Sequence, residues 1–350
     1  MVKCGIMIEG QEGLTWDRWR RIAETVDALG FESLCRSDHL FSLGAHRRSH
    51  EREAGNTVGH TAASLSDRPG LDAWTSLTAL ALMTRRVRFG PLVCPITFYH
   101  PAMLARQAAA VDVLSGGRFV LGIGAGWHDV EHHAFGVPYP RAGERVRRLG
   151  EAARVIRALW GDGPATVDGR YYRLEGAVGW PKPAQRPAPL LIAGKGPKIL
   201  GVAAKYADEW NTGAAAPDQV RARRALLEAA CDAVGRDPAR IAYSVMCGFL
   251  VGETGAALER RALKIQEYVP SRASIPPRDL PAALRSSSWL VGTPDEIVAQ
   301  IGDLAAEGIE RVLLQLFDQE DMDAVHLVDE RVLPRLRDMP VTRPPLGPRN

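Results

Sequence analysis

The chain has 350 residues, of which 46% are hydrophobic and 24% charged, and its formal net charge is +3. This composition is ordinary for a soluble globular protein, and the small charge excess argues against nucleic-acid binding, which needs concentrated basic residues. No apolar run approaches the length of a membrane span, the N-terminal MVKCGIMIEG lacks a signal-peptide pattern, and five cysteines form no CxxC pair. We therefore expect a cytoplasmic protein with reduced thiols that binds neither membranes nor nucleic acids.

Short apolar segments alternate with longer amphipathic ones, which predicts repeated strand–helix units and a parallel sheet. The predicted strands cover residues 4–8, 33–36, 87–93, 119–123, 190–193, 209–211, 242–251 and 311–316. The predicted helices cover residues 16–29, 71–84, 102–114, 144–160, 197–206, 217–234, 256–268 and 294–307. An Asp168-Gly169 pair between β-prone residues predicts a hairpin over 166–174.

Eight parallel strands with helical crossovers predict an α/β protein with a (β/α)8 barrel, and a doubly wound sheet is the alternative. We expect one domain over residues 1–340 and a disordered tail over 341–350. Two insertions, at 43–70 and 270–288, interrupt the pattern, and we interpret them as lids rather than linkers. The first contains basic side chains that either cover the substrate mouth or form a solvated loop: His46, Arg47, Arg48, His50 and Arg52.

Candidate catalytic groups follow the second predicted strand as Ser37-Asp38-His39. The carboxyl ends of barrel strands are where catalytic residues usually lie, and an imidazole there can exchange a proton near neutral pH. The alternative is that Asp38 caps a turn and His39 fills the rim of the barrel.

Two glycine-containing strand ends are candidate ligand sites. GIGAG at 122–126 lacks the dinucleotide-binding spacing, but its glycines either let a flat ring approach the backbone or simply form a tight turn. AGKGPK at 193–198 runs from a strand into a helix, where free amides with Lys195 and Lys198 suit a phosphate. A purely structural turn is the alternative there.

Three further features have less specific interpretations. HDVEH at 128–132 matches HxxEH, so His128 and His132 could share a zinc ion with Glu131 as base, or the string is only a polar helix start. Cys94 has no basic partner by spacing and is interpreted as pocket lining rather than a nucleophile, and its bond to Pro95 could be cis. Some tryptophans form either an aromatic wall or buried core, namely Trp16, Trp74, Trp127 and Trp289.

Together these segments resemble the luciferase-like monooxygenase family, and more closely its branch that uses the deazaflavin coenzyme F420. The resemblance lies in GFESLCRSDHL (30–40), the long segment from VRFGPLVCP to EHHAFGVPYP (87–140), PLLIAGKGPKILGVAAKYADEWNT (189–212) and VGTPDEIVAQI (291–301). It implies the bacterial luciferase-like (β/α)8 barrel and a homodimer. The sequence departs from the family at Cys35, where relatives often carry an aromatic residue, and in its longer first insertion.

The resemblance also implies roles for individual residues. Asp38 corresponds to a residue that hydrogen-bonds the deazaflavin, and His39 to the proton donor or base beside its reactive carbon. Leu92-Val93 corresponds to a bulge behind the ring, usually with a non-proline cis peptide. The remaining cofactor positions are Ala125 and Gly126 along the ring, and the phosphate cradle of Lys195, Gly196, Lys198 and Ile199. The HDVEH string becomes a surface-helix motif without metal.

We therefore predict an oxidoreductase that transfers a hydride between coenzyme F420 and a small organic substrate. Trp127 occupies the position at which the sugar-phosphate-oxidising branch carries an acidic residue, so sugar-phosphate oxidation is disfavoured. The alternatives are an FMN-dependent monooxygenase that uses dioxygen, a zinc hydrolase at HDVEH, and a cofactor-binding protein without catalytic activity.

Overall fold

The computed structural model describes residues 1–40, 68, 70–269 and 272–344. Its strands, in chain order, are β1 (Lys3–Ile8), β2 (Ser33–Arg36), β3 (Arg88–Pro91), β4 (Cys94–Pro95), β5 (Leu121–Gly124), β6 (Ala165–Asp168), β7 (Arg173–Ala177), β8 (Leu190–Ala193), β9 (Glu209–Asn211), β10 (Ala242–Val251), β11 (Leu290–Gly292) and β12 (Arg311–Leu316). Each of the eight predicted strands is present. The third, predicted over 87–93, is β3, and the two-residue strand β4 begins just after its predicted end. The predicted hairpin is the antiparallel pair β6–β7.

The helices are α1 (Trp16–Ala28), α2 (Ala73–Met83), α3 (Pro101–Leu114), α4 (Asp129–Ala134), α5 (Ala142–Trp160), α6 (Pro197–Tyr206), α7 (Pro217–Asp232), α8 (Gly255–Tyr268), α9 (Leu280–Arg285), α10 (Pro294–Ala306), α11 (Met322–Arg331) and α12 (Leu333–Leu336). The eight predicted helices are confirmed within three residues at each end. No helix in the described ranges is long and apolar enough to cross a membrane.

The parallel strands form a nearly closed barrel in the order β3-β2-β1-β12-β10-β9-β8-β5-β4, and β11 adds to the end of β10. A parallel bridge between Phe89 of β3 and Phe119, two residues before β5, brings the two sides of this order together. Glycine is required beside this junction, because a Cβ on Gly90 would lie 1.9 Å from the carbonyl oxygen of Val120. The (β/α)8 prediction is therefore confirmed.

Two apolar layers hold the barrel together. The larger lies between the strands and the surrounding helices, as expected for parallel strands buried on both faces. The smaller fills the barrel interior below the carboxyl ends of the strands and contains Met7, Leu92, Val120, Leu191 and Leu313. The Cys35 side chain packs against this interior cluster.

One arginine joins β2 to the start of α2. Arg36 is 1% exposed, and its guanidinium donates to the carbonyl oxygens of Leu71 and Asp72 and to the hydroxyl of Ser76. A buried guanidinium is tolerated when its donors are satisfied in this way. The strand that precedes His39 is thereby fixed to the helix that follows the first insertion.

The two insertions and the tail are described only in part. Most of the first insertion and positions 270–271 lie outside the described residues, whereas α9 lies within the second insertion. The basic residues considered for the substrate mouth all lie outside, namely His46, Arg47, Arg48, His50 and Arg52. The disordered tail over 341–350 stays a prediction, and its described residues, 341–344, contact the rest of the chain. Thr342 N–H donates to the Ala305 carbonyl at 3.1 Å, and Arg343 donates to the carbonyl of Ile241 at 2.9 Å. The single domain over 1–340 stays a prediction, and 345–350 lie outside the described residues.

Candidate active site

A cavity of about 530 Å³ opens at the carboxyl ends of the barrel strands. It is lined by residues that follow different strands, which is where catalytic residues of such barrels lie. Eight of the ten predicted site residues line it: His39, Leu92, Val93, Ala125, Gly126, Lys195, Gly196 and Ile199. Asp38 and Lys198 do not belong to this lining. The cavity therefore combines the predicted proton-transfer residue, the predicted ring wall and most of the predicted phosphate turn.

His39 is paired with a buried carboxylate. Its Nδ1 lies 3.0 Å from Oε2 and 3.2 Å from Oε1 of Glu131, which is on α4. The backbone N–H of Leu40 also donates to Oε1 of Glu131. Burial alone would lower the pKa of His39, but the hydrogen bond to Glu131 and the neighbouring carboxylates outweigh burial and raise it above 6.5. Burial would raise the pKa of Glu131, but its bonds to His128 and His39 hold it far below its usual range.

The HDVEH string was wrongly interpreted as a surface motif. His128, Glu131 and His132 are 3% exposed or less, because the short helix α4 packs back against the loop after β4. The rings of His132 and Phe98 lie 4.7 Å apart, and Nε2 of His132 lies 2.7 Å from Oγ1 of Thr97. Nδ1 of His132 lies 2.7 Å from the carbonyl oxygen of His128. Both ring nitrogens of His132 thus have polar neighbours other than a metal.

The hypothesis that His128 and His132 share a zinc ion does not match this geometry. Among the described residues, the group whose ligand atoms lie close enough to share a metal is instead His39, His128 and Glu131, all within 4.8 Å of one another. Nδ1 of His128 lies 3.2 Å from Oε2 of Glu131. The Glu131 oxygens are thus occupied by hydrogen-bond and charge partners, and nothing in this arrangement supports a zinc hydrolase.

Small residues shape one wall of the cavity. A Cβ on Gly124 would lie 2.7 Å from Cγ2 of Val93, and Gly126 has a φ of +76° that other residues rarely adopt. The Leu92–Val93 peptide is cis, as the family resemblance implies. Cys94–Pro95 is not among the cis bonds of the described chain. The prediction that Cys94 lines the pocket is wrong: Cys94 is fully buried, and Pro95 lines the cavity in its place.

The opposite end of the cavity is the turn between β8 and α6. Gly194 has a φ of +139°, and Gly196 is the N-cap residue of α6 with Pro197 in the first turn. A Cβ on Gly196 would meet nothing within 4 Å, so the space in front of these amides is open. Lys195 lines this space, whereas Lys198 lines a separate groove between α5, α6 and the β6–β7 hairpin.

Asp38 lies behind the cavity wall. Its Oδ2 accepts a 2.8 Å hydrogen bond from the hydroxyl of Tyr99, and Cys94 is a second hydrogen-bonding neighbour. Burial raises the pKa of Asp38 despite these bonds and the nearby Arg36. Its role toward the cofactor stays a prediction.

Polar residues in and just beneath the cavity floor were not predicted from the sequence. Glu9 follows β1, and Gln315 of β12 donates to its Oε1. Gln11 donates to Oε2 of Glu9 at 2.8 Å and accepts at 2.6 Å from the Ser37 hydroxyl. The sequence signal that could have identified Glu9 and Gln315 is a polar residue at or just beyond the end of an apolar strand. Of the four tryptophans considered, only Trp127 lines the cavity, with its ring edge-on to His39 at 5.2 Å.

The luciferase-like monooxygenase family model matches residues 4–311. The chain belongs to this family. It is 28% identical to an F420-dependent glucose-6-phosphate dehydrogenase of Microbacterium testaceum over 327 residues, which cover 89% of this chain and 90% of that relative. It is 27% identical over 344 residues to an F420-dependent hydroxymycolic acid dehydrogenase of Mycobacterium tuberculosis, with 95% and 88% coverage.

Solved structures of other proteins share the fold. An F420-dependent secondary alcohol dehydrogenase in complex with an F420-acetone adduct superimposes with a TM-score of 0.76 at 23% identity, covering 96% of this chain and 99% of that one. At this identity the likeness concerns the fold. The named relatives by sequence are themselves oxidoreductases, which agrees with the predicted enzyme class.

Proposed function

We propose that this protein is an F420-dependent oxidoreductase that transfers a hydride between the deazaflavin and a small organic substrate. One observation carries the proposal: His39, the Leu92-Val93 wall and the Lys195-Gly196 turn face the same cavity. The F420-dependent relatives named above support the cofactor. The proposal assigns proton transfer to His39 and binding to the backbone and side chains around it.

The cavity fits such a cofactor in size and shape. Ligand sites of about 300–1,000 Å³ are typical for molecules of this class, and this cavity has about 530 Å³. The glycine-containing loop after β5 leaves the backbone uncovered where a flat ring would lie against it. The open N-terminus of α6 and the ammonium of Lys195 suit a phosphate.

When bound, the deazaflavin supplies or accepts the hydride, and the chain supplies the proton and the enclosure. His39 holds a proton on an imidazole whose Nδ1 faces Glu131, and it would pass this proton to or from a substrate oxygen in the cavity. Leu92 and Val93 provide an apolar wall that excludes water from one side. Lys195 and the amides of the α6 turn hold the anionic end of the cofactor.

The substrate is proposed to be a small organic molecule other than a sugar phosphate. Trp127 stands between the glycine-containing loop and His39, where its indole offers a flat apolar surface. A phosphorylated sugar needs charged or hydrogen-bonding partners, which an indole face does not provide. An alcohol or carbonyl compound with an apolar body fits this surface better.

Titration of the cofactor-free protein with F420 and, separately, with FMN tests the proposal. We expect changes in F420 absorbance and fluorescence that saturate at one cofactor per chain, and much weaker changes with FMN. Tight binding of FMN together with substrate-dependent consumption of dioxygen would instead identify a monooxygenase. Bound F420 that no alcohol or carbonyl compound can oxidise or reduce would indicate a protein without catalytic activity.

We further propose a cytoplasmic location and a homodimer. All five cysteines are unpaired, which suits a reducing compartment. The homodimer rests on the family resemblance alone. Light scattering of the purified protein measures the mass directly and would show a mass of 38.1 kDa if the chain is a monomer.

A further inference from the structure

We infer that Glu131 is a positioning residue that holds the His39 imidazole by Nδ1, so that the other ring nitrogen exchanges the proton of the reaction. This inference rests on the proposed role of His39. It deepens that role by naming the group on which the orientation of the imidazole depends.

The contacts of Glu131 fix both the ring and the backbone of the His39 segment. Its two oxygens lie 3.0 and 3.2 Å from Nδ1 of His39, and Oε1 also accepts the backbone N–H of Leu40. A carboxylate that binds the ring and the next amide restricts rotation of the side chain more than a single bond would. It also selects the tautomer, since Nδ1 must carry a hydrogen to donate to the carboxylate.

Neighbouring rings support the same orientation. Trp127 stands edge-on to the His39 ring at 5.2 Å, and His128 stands edge-on at 5.8 Å. Helix α4 is in turn held by His132, which contacts Thr97 and the His128 carbonyl. The position of Glu131 is therefore set by packing on several sides rather than by its bond to His39 alone.

Glu131 acts through His39 rather than on a substrate. Both residues line the cavity, but the side chain of Glu131 is 1% exposed and that of His39 is 15% exposed, so the imidazole offers more surface to a molecule in the cavity. A buried carboxylate with an imidazole between it and the substrate orients the ring and stabilises its protonated form, which is the established logic of carboxylate–histidine pairs in hydrolases.

The charges around His39 come from several elements. Glu131 faces it from α4, His128 lies before that helix, Glu9 follows β1, and Asp38 is its neighbour after β2. Three of these groups are carboxyls, and Glu131 is the one in direct contact with the ring. Removal of the Glu131 charge should therefore change the ionisation of His39 more than removal of either of the others.

Histidine NMR of the cofactor-free protein, combined with kinetics, tests the inference. The Glu131→Gln variant should lower the pKa of His39 by about one unit or more, since a contacting opposite charge shifts an imidazole by this order. The kcat of this variant should fall about 100-fold, and the midpoint of its pH profile should shift in the same direction as the pKa of His39. KM and the Kd for F420 should change less than about threefold. The Glu131→Asp variant should recover part of both effects. The signal of His39 is assigned by its loss in His39→Asn.

The control is Asp129→Asn, which removes a negative charge from the same helix without contact to His39 and should leave all four quantities unchanged. An unchanged His39 pKa in folded Glu131→Gln, or a rise in KM alone, would overturn the inference. If Glu131→Gln fails to fold, Glu131→Asp decides, and a His39 pKa and kcat equal to those of the unmodified protein would count against it. Stoichiometric metal lost on Glu131 replacement would also overturn it. Because the NMR titration needs no cofactor, its outcome is independent of whether F420 binds.

Discussion

The hydroxyl of Tyr99 donates a 2.8 Å hydrogen bond to Oδ2 of Asp38, and Asp38 is absent from a cavity that both of its neighbours line. Successive residues of an extended segment point to opposite sides, so Ser37 and His39 face the cavity while Asp38 faces the loop after β4. The Asp38 carboxylate thus stabilises the segment that holds His39 toward the cavity.

Replacing Asp38 should therefore affect stability more than cofactor binding. Asp38→Ala leaves the Tyr99 hydroxyl without its acceptor, and the cost of such a buried group is about 1–3 kcal/mol. We expect this loss in the free energy of unfolding, with the Kd for F420 changed less than about threefold, measured by urea denaturation and fluorescence titration. Tyr99→Phe is the matched control, because it removes the same hydrogen bond from the other side. A tenfold weaker Kd in a stably folded Asp38→Ala protein would favour the direct cofactor contact that the family resemblance implies.

Replacing His39 should separate turnover from binding. His39→Ala removes the proposed proton carrier, and the loss of general acid–base catalysis lowers kcat about 10²–10⁴-fold. The Kd for F420 should stay within about threefold, because the ring wall and the α6 turn are unchanged. The control is His133→Ala on α4, where the histidine side chain is exposed. Full activity of His39→Ala would contradict the assignment.

The pH dependence of the reaction follows from the ionisation of His39. Its pKa is raised above 6.5 because Glu131 and nearby carboxylates outweigh burial, so the protonated ring persists to higher pH than for a free imidazole. In the direction in which His39 donates a proton, kcat should be constant at low pH and fall as pH rises through this pKa. In the opposite direction kcat should rise over the same range. A midpoint below 6.5 in both directions would be inconsistent with the pair.

The two lysines of the AGKGPK segment should differ in their effect. Lys195 lines the cavity and Lys198 lines a separate groove, so only Lys195 is placed to contact a phosphate in the cavity. Lys195→Ala should weaken F420 binding about tenfold at low salt, and the difference should shrink as salt screens the charge. Lys198→Ala, with the same loss of charge, should weaken it less than about threefold. An equal loss of F420 affinity in the two variants would mean that Lys198 also contacts the phosphate, as the family resemblance implies.

A stability measurement can examine the closure of the barrel. Gly90→Ala places a Cβ against the Val120 carbonyl, a backbone atom that cannot move aside, and should lower the free energy of unfolding by about 3 kcal/mol. Gly201→Ala in α6 meets nothing within 4 Å and should raise it by about 0.5–1 kcal/mol through helix propensity. Both are measured by urea denaturation. Equal stability of the two variants would mean that the strands on either side of Gly90 separate easily.

Much of the fold was predictable because parallel strands buried on both faces leave continuous apolar segments. β11 and α9 were missed because they are short, with three and six residues, and lie in or directly after the second insertion, where the alternation of strands and helices is interrupted. α11 and α12 follow the last strand and were also not predicted.

The parts of the candidate site that lie at the end of a single strand were predicted. Ser37-Asp38-His39 and the glycines after β5 follow single strands, and each was recognised in the sequence. The pairing of His39 with Glu131 joins the loop after β2 to helix α4, 92 residues away, and such proximity arises only when the barrel closes. The same reason explains the missed floor, in which Glu9 meets Gln315 across 306 residues.

The guanidinium of Arg36 has a consequence for how this barrel can diversify. It joins the strand before His39 to Leu71, Asp72 and Ser76, so the chain on either side of positions 41–67 is anchored to the barrel wall by one side chain. The intervening stretch can therefore be exchanged for a shorter or longer one, in nature or by grafting, while the imidazole keeps its place. A change of substrate preference at this position would then leave His39 and the polar residues of the cavity floor unchanged.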